Sequence, residues 1–219
     1  MVTIVIPAHN EEGTISAVVA GLRRVGYDSV VVVDDGSTDQ TAARACAAGA
    51  ICLRHPMNRG QGAALQTGTT YALRHGADII VHFDADGQHQ PTEVATWIEP
   101  IVRGSAEVVF GSRFLAGNTM MPAIKRLVLR ALIPWHNLFV GLHLTDIHNG
   151  ARALSRSVAE RLVITQDGMA HNSEIAQQVA ALNVRYREVP TTVVYHRYGQ
   201  SLIGGGLRII RDLFMSRFT

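Results

Sequence analysis

The sequence has few cysteines and no arrangement of histidines that suits zinc. Two of its 219 residues are cysteine, which excludes a small scaffold held together by disulfides. Cys46 lies in an alanine-rich helical pattern and Cys52 in a short apolar run. We therefore predict buried free thiols in a reducing compartment, with a disulfide or a metal pair as the alternative. The 10 histidines show no zinc-ligand spacing, and we assign no metal to histidine.

Long apolar runs are also missing. No stretch of about 18 uncharged apolar residues occurs, so the sequence predicts no transmembrane helix. The chain opens directly on a strand pattern at Val2, and we expect no secretory signal peptide. Hydrophobic residues make up 47% of the chain and charged residues 17%, which is typical of a soluble globular protein with a sizeable core.

Charge is almost balanced overall but unevenly distributed. The formal net charge is +2, yet residues 1–119 contain 8 arginines against 12 acidic residues, whereas residues 120–219 contain 12 basic against 6 acidic residues. An acidic half can hold a metal ion, and a basic half can face phosphates or an anionic membrane. Accidental segregation on a solvated surface is the alternative. The basic residues are not interleaved with aromatic residues as a base-stacking platform, so we expect no nucleic-acid partner.

The first 115 residues alternate short apolar runs with helical patterns. Four consecutive valines at 30–33 are typical of a strand buried on both faces, and Pro91 suits the first position of a helix. The order β-α-β-α-β-α-β-α-β predicts an α/β fold with a mostly parallel sheet and helices on both faces.

Polar residues follow the ends of the predicted strands, where open α/β sheets bind ligands. Asp84 and Asp86 come directly after an apolar run, and Arg113 follows the fifth predicted strand. Two carboxylates one residue apart suit Mg²⁺ or Mn²⁺ shared with a phosphate, and Gln88 adds an amide oxygen. A solvated, aspartate-rich turn is the alternative.

Three further loops carry candidate ligands. The loop after the first strand lacks Gly-x-Gly-x-x-Gly, which excludes the dinucleotide site of a Rossmann dehydrogenase. This loop offers Glu11, although favourable charge near a helix start also explains that residue. Asp35 has no such explanation, so we interpret it as an acceptor for a base N–H or for ribose hydroxyls. Gly60 and Gly62 permit close approach of another backbone or of a phosphate.

Five of these segments together resemble glycosyltransferase family 2, which has the GT-A fold. They occur in order and at fitting spacings, at residues 4–12, 32–39, 58–60, 84–89 and 111–113. Within that family the chain is most similar to dolichol- or polyprenyl-phosphate mannose and glucose synthases. The close match covers residues 2–115, and looser motifs continue to about residue 201.

The resemblance implies a GT-A, Rossmann-like domain spanning residues 1–219, with a nucleotide-sugar-binding half (1–115) and an acceptor- and membrane-facing half (116–219). It implies metal-dependent, inverting transfer of a hexose from a UDP-, GDP- or TDP-sugar to a polyprenyl phosphate in cell-envelope glycan synthesis. The implied nucleotide-sugar ligands are Pro7, His9, Glu11, Val33, Asp35, Arg59, Asp84 and Ala85, and the metal ligands are Asp84, Asp86 and Gln88.

The second half contains the residues expected to act on the acceptor. Asp146 begins a segment similar to the family's Asp-x-x-x-Gly-x-Arg and is a candidate for contacting the sugar or acting as a base. Glu174 either contacts the acceptor or follows a helix cap formed by Asn172 or Ser173. In a segment similar to Arg-x-x-Gly-x-Ser-Lys, one residue fewer separates Arg197 from the glycine, and Leu202 replaces the lysine. The predicted catalytic residues are Asp86, Arg113, Asp146, Glu174 and Arg197, and the predicted acceptor-phosphate ligands are Arg113, Lys125, Arg126, Arg197 and Ser201.

Two stretches interleave basic and apolar residues. Residues 125–140 predict two short amphipathic helices with an interfacial aromatic, Trp135, or alternatively a core-packed helical hairpin. Residues 207–218 predict a basic amphipathic helix that contacts a membrane, a partner or its own domain. We expect a peripheral position on the cytoplasmic face of the cell membrane and a small integral membrane protein as a partner.

The acceptor decides whether a catalytic base is required. A sugar hydroxyl needs a carboxylate at hydrogen-bond distance, whereas a polyprenyl phosphate, with a second pKa of about 6, is already an anionic nucleophile. The alternative function is therefore the same donor chemistry with a hydroxyl acceptor, such as a lipid-linked glycan or a small metabolite. A non-catalytic nucleotide-sugar-binding subunit is a third, more remote hypothesis.

Overall fold

The computed structural model describes residues 1–116, 133–135, 137–146, 149–168 and 170–194. Its elements follow the predicted alternation as far as the fifth strand. They are β1 (Val2–Ala8), α1 (Ile15–Arg24), β2 (Val30–Asp34), α2 (Thr41–Ala47), β3 (Ile51–Arg54), α3 (Gln61–Arg74), β4 (Ile79–His82), a 3₁₀ turn (Pro91–Glu93) leading into α4 (Val94–Val102), β5 (Val108–Ser112), β6 (Arg152–Ser155), α5 (Arg156–Ala159), α6 (His171–Ala181) and β7 (Tyr186–Pro190).

The described strands form one seven-stranded sheet in the order β3-β2-β1-β4-β6-β5-β7. Parallel pairs join β1 to β2 and β4, β2 to β3, and β5 to β7, whereas β6 runs antiparallel between β4 and β5. The prediction of a mostly parallel sheet is confirmed. The chain leaves β1 towards the β3 edge and returns on the other side as β4, which opens a crevice at the carboxyl ends of β1 and β4.

Helices cover both faces of the sheet, as predicted. On β1, Ile4 and Ile6 pack into one core with α1 and α4, and the intervening Val5 packs into a second core with α3 and α6. This division follows from the alternation of side chains along a strand. Helix α1 places its buried residues at helical spacing, on the stripe that faces the sheet: Ile15, Val18, Val19 and Leu22.

The strand β6 was not predicted. Residues Arg152–Ser155 pair with β4 and β5, and the helix that follows begins only at Arg156. Four residues are too few to show a period, and the open edges of β4 and β5 supply hydrogen bonds that override local preference. The strand β7 ends at Pro190 and is followed by an isolated bridge from Val193 to His89.

The two cysteines form a disulfide, so the prediction of buried free thiols is wrong. Helix α2 packs beside β3 and brings the Cα atoms of Cys46 and Cys52 to 5.9 Å, within the range of a disulfide. Cys46 is exposed and Cys52 is partly buried. Sequence spacing alone did not show that the end of the helix faces the neighbouring strand.

The predicted amphipathic stretch is described in part. Residues 133–135 and 137–140 are helical, and three apolar side chains there are largely exposed: Trp135 (65%), Leu138 (75%) and Phe139 (60%). Lys125, Arg126 and residues 207–218 lie outside the described residues. Within the described ranges, no helix combines the length and the apolar character needed to cross a membrane.

Candidate active site

The loops after β1 and β2 are joined by hydrogen bonds that fix the position of Glu11. The backbone N–H of Asn10 donates to Ser37 Oγ (2.9 Å), and Asn10 Oδ1 accepts from the backbone N–H of Thr38 (3.0 Å). Asn10 adopts a left-handed conformation (φ 55°), which asparagine tolerates better than most residues. The next backbone N–H, that of Glu11, donates to Thr41 Oγ1 (2.8 Å). The Glu11 carboxylate therefore lies before α1, whose first turn contains no acidic residue.

Glu11, Asp84 and Asp86 form a carboxylate cluster at the crevice between β1 and β4. Burial raises the pKa of Glu11, a hydrogen bond from Thr14 opposes the rise, and the charges of Asp86, Asp39 and Asp84 add to it. Burial also raises the pKa of Asp86, with a further contribution from the charge of Asp84. The cluster thus holds more negative charge than the neighbouring protein groups balance.

Asp84 differs from the other two carboxylates because it is held on several sides. Burial alone would raise its pKa, but a hydrogen bond from His89 and the electrostatic influence of His89 and Arg152 keep the pKa of Asp84 below its ordinary value. Its Oδ2 accepts from His89 Nε2 (3.1 Å) and its Oδ1 from Gln61 Nε2 (3.2 Å). Gly150 packs so closely that a Cβ there would clash with both oxygens. Asp84 is therefore a fixed carboxylate.

The residues present fit a divalent cation that shares its coordination with a ligand. Within the described ranges, no group of three or more His, Cys, Asp or Glu side chains is placed so that it could hold a metal ion. Mg²⁺ in particular is commonly held by one or two carboxylates together with water and substrate phosphates, which Asp84 and Asp86 can supply. The Gln88 backbone N–H donates to Asp86 Oδ1 (3.0 Å). Coordination through the Gln88 amide stays a prediction.

The candidate nucleotide ligands gather at the ends of β1 and β2. Pro7 pairs with Val33 across the two strands, and His9 Nδ1 contacts the backbone oxygen of Asp35 (2.9 Å). The Asp35 carboxylate accepts the backbone N–H of Arg59 (2.9 Å). Their roles as ligands stay predictions, but the structure does place these five residues together.

Asp35 also has a structural role that the sequence did not reveal. Its Oδ1 accepts from His55 Nδ1 (2.7 Å) and from Arg59 N (2.9 Å), and its Oδ2 accepts from Gly60 N (2.7 Å). The interpretation that this carboxylate has no structural explanation is wrong. It anchors the loop that leads into α3.

Gly60 and Gly62 allow the close approach of another backbone, which was one of the two predicted alternatives. The Gly62 N–H donates to the Asp167 backbone oxygen (2.9 Å). A Cβ at Gly60 or Gly62 would clash with the backbone oxygens of Asp167 and Gln166, and Gly60 has a φ of 102°, which favours glycine. The loop before α6 is thus packed against the start of α3.

Glu174 holds that same loop. Its carboxylate accepts the backbone N–H groups of Thr165 (3.0 Å) and Gln166 (2.9 Å), and also the Thr165 hydroxyl. The predicted cap by Asn172 or Ser173 is wrong, because α6 begins without a side-chain cap and Asn172 accepts a hydrogen bond from Arg152. The helix starts early enough for Glu174 to reach back from its first turn. Contact with an acceptor stays a prediction.

Arg113 and Asp146 form a buried, bidentate ion pair. Arg113 Nε donates to Asp146 Oδ2 (2.6 Å) and Nη2 to Oδ1 (2.7 Å), and the Arg113 backbone N–H also donates to Oδ2 (3.0 Å). Glu188 supports the pair by accepting the Asp146 backbone N–H (3.2 Å), and burial raises the pKa of Glu188. Since both oxygens of Asp146 accept from the guanidinium, the geometry favours orientation of Arg113 over action as a base.

Arg152 is a functional candidate that sequence reasoning left without a role. It is 2% exposed, and burial lowers its pKa to about 10, while the charge of Asp84 acts in the opposite direction. Its Nη2 donates to Asn149 O (3.4 Å) and to Asn172 Oδ1. The signal available in the sequence was its position as the arginine that ends the segment similar to Asp-x-x-x-Gly-x-Arg. The strand that points it towards Asp84 was not predicted.

Gln61 and His55 were also missed, because each acts through a carboxylate distant in the sequence. In the sequence, Gln61 is marked only by its place after Gly60, and His55 only by its place after a short strand, so neither shows a sign of its function. The remaining predicted residues, Arg197 and Ser201, lie outside the described residues, as do Lys125, Arg126 and Leu202.

The order of the sheet and the helices on its two faces are those of the GT-A glycosyltransferases. The family model described as Glycosyl transferase family 2 matches residues 3–163. The chain belongs to this family and is a glycosyltransferase, which confirms the resemblance found in the sequence.

Known proteins similar to the chain include two lipid-phosphate enzymes and one solved structure. A UDP-N-acetylglucosamine–dolichyl-phosphate N-acetylglucosaminyltransferase of Methanococcus voltae is 32% identical, over 92% of this chain and 88% of the relative. An undecaprenyl-phosphate mannosyltransferase of Micrococcus luteus is 31% identical, over 94% of this chain and 88% of the relative. The crystal structure of M. tuberculosis glucosyl-3-phosphoglycerate synthase is 25% identical with a TM-score of 0.71, over 98% of this chain and 80% of that one.

Proposed function

We propose that this glycosyltransferase moves a hexose from a nucleoside diphosphate sugar to a polyprenyl phosphate, with inversion at the anomeric carbon and dependence on Mg²⁺ or Mn²⁺. The carboxylate cluster is the observation that carries the proposal. The pKa values of Glu11 and Asp86 are raised by burial and by neighbouring negative charge. Asp84 and Asp86 would hold a divalent cation, whose positive charge would relieve that repulsion.

On the donor side, the chain positions a diphosphate leaving group. Bound at Asp84 and Asp86, the cation would act as a Lewis acid on the charge that develops as the sugar–phosphate bond breaks. Gln61 and His89 keep Asp84 in place through their hydrogen bonds. The loop anchored by Asp35 would hold the base and ribose at the ends of β1 and β2.

On the acceptor side, a phosphate monoester needs cations more than it needs a base. With a second pKa of about 6, it is an anionic nucleophile at neutral pH. Its oxygen bonds to the anomeric carbon as the bond to the diphosphate breaks on the opposite side, which inverts the centre. Arg113, oriented by Asp146, supplies charge-assisted hydrogen bonds to phosphate oxygens. Two relatives carry names that specify dolichyl phosphate and undecaprenyl phosphate, which supports this acceptor class.

Such an acceptor would place the enzyme peripherally at a membrane, and we propose that it works on the cytoplasmic face. Trp135, Leu138 and Phe139 expose apolar surface on neighbouring helical residues. An aromatic and apolar surface of this kind suits insertion into the boundary of lipid head groups and acyl chains. The proposed small integral membrane partner would bring the enzyme to the same surface.

A hydroxyl acceptor is the second candidate function. The solved relative is named a glucosyl-3-phosphoglycerate synthase, so a structure of similar fold is associated with a small acceptor. In that case Glu174 would have to leave its loop contacts to serve as a base.

A transfer assay separates the two acceptors. The protein is incubated with Mn²⁺ or Mg²⁺, radiolabelled UDP-, GDP- and TDP-hexoses and a short polyprenyl phosphate, and label in the organic phase is counted. Metal-dependent label that is lost in Asp86→Ala but kept in the exposed control Asp28→Ala is the expected result. If the donor is consumed but no label enters the organic phase, the lipid phosphate is not the acceptor and a hydroxyl compound takes its place in the proposal. No consumption, even with membranes added, would contradict the proposal.

A further inference from the structure

The hydrogen bonds of Asp35 bear on which base the donor carries. The side chain is almost fully buried (4% exposed), and its carboxylate accepts three N–H groups from His55, Arg59 and Gly60. Two of them meet at Oδ1 and one at Oδ2. An ionised carboxylate offers about four acceptor positions, two on each oxygen. Among the described residues, His55 and Arg59 occupy both acceptor positions of Oδ1, whereas Gly60 occupies only one of the two on Oδ2.

The donors on Asp35 are themselves fixed in place. An ionised carboxylate oxygen only accepts, so His55 donates through Nδ1, and its Nε2 forms a hydrogen bond with the Thr67 hydroxyl (2.9 Å). His55 is buried and would lose both bonds by turning away. Gly60 is held between Asp35 and the Asp167 backbone. Because these donors are fixed, the acceptor positions that they occupy on Asp35 stay occupied, and a ligand finds only the one left on Oδ2.

Bases differ in how many adjacent N–H groups they present to such a carboxylate. Uracil and thymine present one, N3–H, between two carbonyls. Guanine presents two side by side, N1–H and N2–H, which pair with a carboxylate by using one position on each oxygen. We infer that Asp35, with Oδ1 filled by His55 and Arg59, selects a uracil- or thymine-containing donor over a guanine-containing one. The inference rests on the proposed function, because it takes the loop at Asp35 as the base site.

Guanine could enter only with one N–H unpaired or with His55 displaced. Leaving a buried donor or acceptor without its partner lowers affinity by roughly ten- to a hundredfold. We therefore expect UDP and TDP to bind at least about tenfold more tightly than GDP, because only GDP would leave a buried polar group unpaired.

Calorimetric titration of the full chain with UDP, TDP and GDP, in the presence of Mn²⁺, tests the inference. Tighter binding of UDP and TDP than of GDP is expected. A probe methylated at uracil N3 keeps every other group of UDP and removes the N–H, so its affinity should fall at least about tenfold. Equal or tighter binding of GDP would overturn the selectivity and leave the nucleotide site intact. If no nucleotide binds, the proposed function itself fails.

A substitution at His55 tests the cause of the selectivity. His55→Leu frees an acceptor position on Oδ1, so the preference for UDP over GDP should shrink, even if UDP itself binds less tightly. His75→Leu is the matched control, since His75 is exposed and stacks on Tyr71 in the same region of the fold. Circular dichroism checks that both variants fold. An unchanged UDP-to-GDP ratio in folded His55→Leu would refute the role of His55, and the N3-methyl probe decides the matter if that variant does not fold.

Discussion

Asp86 shows how a single side chain can be unfavourable for folding and useful for binding. Its pKa is raised in the folded protein, first by burial and then by the charge of Asp84. The folded state therefore binds a proton more tightly than the unfolded state, and stability falls as pH rises through the raised pKa. Without a bound cation, the ionised side chain is a source of instability near neutral pH.

Asp86→Asn should consequently stabilise the metal-free protein while abolishing transfer. We expect a gain of about 1 kcal/mol in the free energy of unfolding near pH 7, typical of a single stabilising substitution. The gain should disappear as the pH falls below the ordinary pKa of an aspartate, because Asp86 is then protonated in both the folded and the unfolded state. Urea denaturation with chelator present measures both values. Asp28→Asn, at an exposed ion pair with Arg23, is the control, and a loss of stability in Asp86→Asn at neutral pH would contradict the electrostatic explanation.

Gln61 acts at the same scale, through Asp84. Its amide donates to Asp84 Oδ1 (3.2 Å), so Gln61→Leu should let the carboxylate move. Substituting a residue that hydrogen-bonds to a metal ligand typically lowers metal affinity by about 10- to 100-fold. We expect transfer to require about tenfold more Mn²⁺ for half-maximal rate, with a smaller change in the KM for nucleotide sugar.

The control for this change is Gln40→Leu, because Gln40 is exposed at the start of α2. Rate is measured against Mn²⁺ concentration for both variants. An unaltered metal requirement in Gln61→Leu would show that Asp84 is held well enough by His89 alone.

At the scale of elements, the loop before α6 joins the two halves of the fold. Glu174 binds its backbone at Thr165 and Gln166, and its Asp167 carbonyl accepts from Gly62 at the start of α3. The helix that carries Glu174 therefore supports the segment that Asp35 anchors from the other side. Glu174 and Asp35 are thus connected through one packed loop.

Glu174→Gln distinguishes this supporting role from a catalytic one. If Glu174 only holds the loop, stability should fall by about 1–3 kcal/mol, since two backbone N–H groups lose a charged acceptor, and single-turnover transfer should slow by less than about tenfold. A general base would instead account for about 10²- to 10⁴-fold in rate. Glu160→Gln, exposed on the turn after α5, is the control. A loss of that larger size with unchanged binding would favour a hydroxyl acceptor.

The elements that sequence reasoning found and missed differ in a physical way. The strands β1 to β5 carry continuous apolar runs, and Pro91 and Gly60 mark helix starts, so local pattern was enough. The strand β6 has four residues and begins with a buried arginine, Arg152. Its formation depends on the open edges of β4 and β5, which a local pattern cannot show.

For the site, residue types were predictable but their hydrogen bonds were not. Asp84 and Asp86 were found because two acids after an apolar run are conspicuous. The saturation of Asp35 by His55 and by the loop amides required knowledge of contacts across 20 or more positions. The pairing of Arg113 with Asp146 likewise joins residues 33 positions apart.

For the whole molecule, the exposed residues Trp135, Leu138 and Phe139 bear on where the enzyme works. Leu138→Glu should weaken binding to anionic vesicles about tenfold, since burying a leucine side chain contributes roughly 1.5–3 kcal/mol. Val102→Glu, at a similarly exposed apolar residue at the end of α4, should have little effect. Flotation of the protein with vesicles measures both. Equal loss in the two variants, or no loss in either, would remove this surface from the membrane contact.

We propose above all that Asp84 and Asp86, beside Glu11, take up a divalent cation together with the donor diphosphate. The most direct test is a titration of Mn²⁺ into the protein with and without UDP, with free Mn²⁺ followed by electron paramagnetic resonance. We predict binding that UDP strengthens and that Asp86→Asn weakens at least about tenfold, while Asp28→Asn leaves it unchanged. Mn²⁺ affinity that is the same in Asp86→Asn and in the wild type, with UDP present, would contradict the claim.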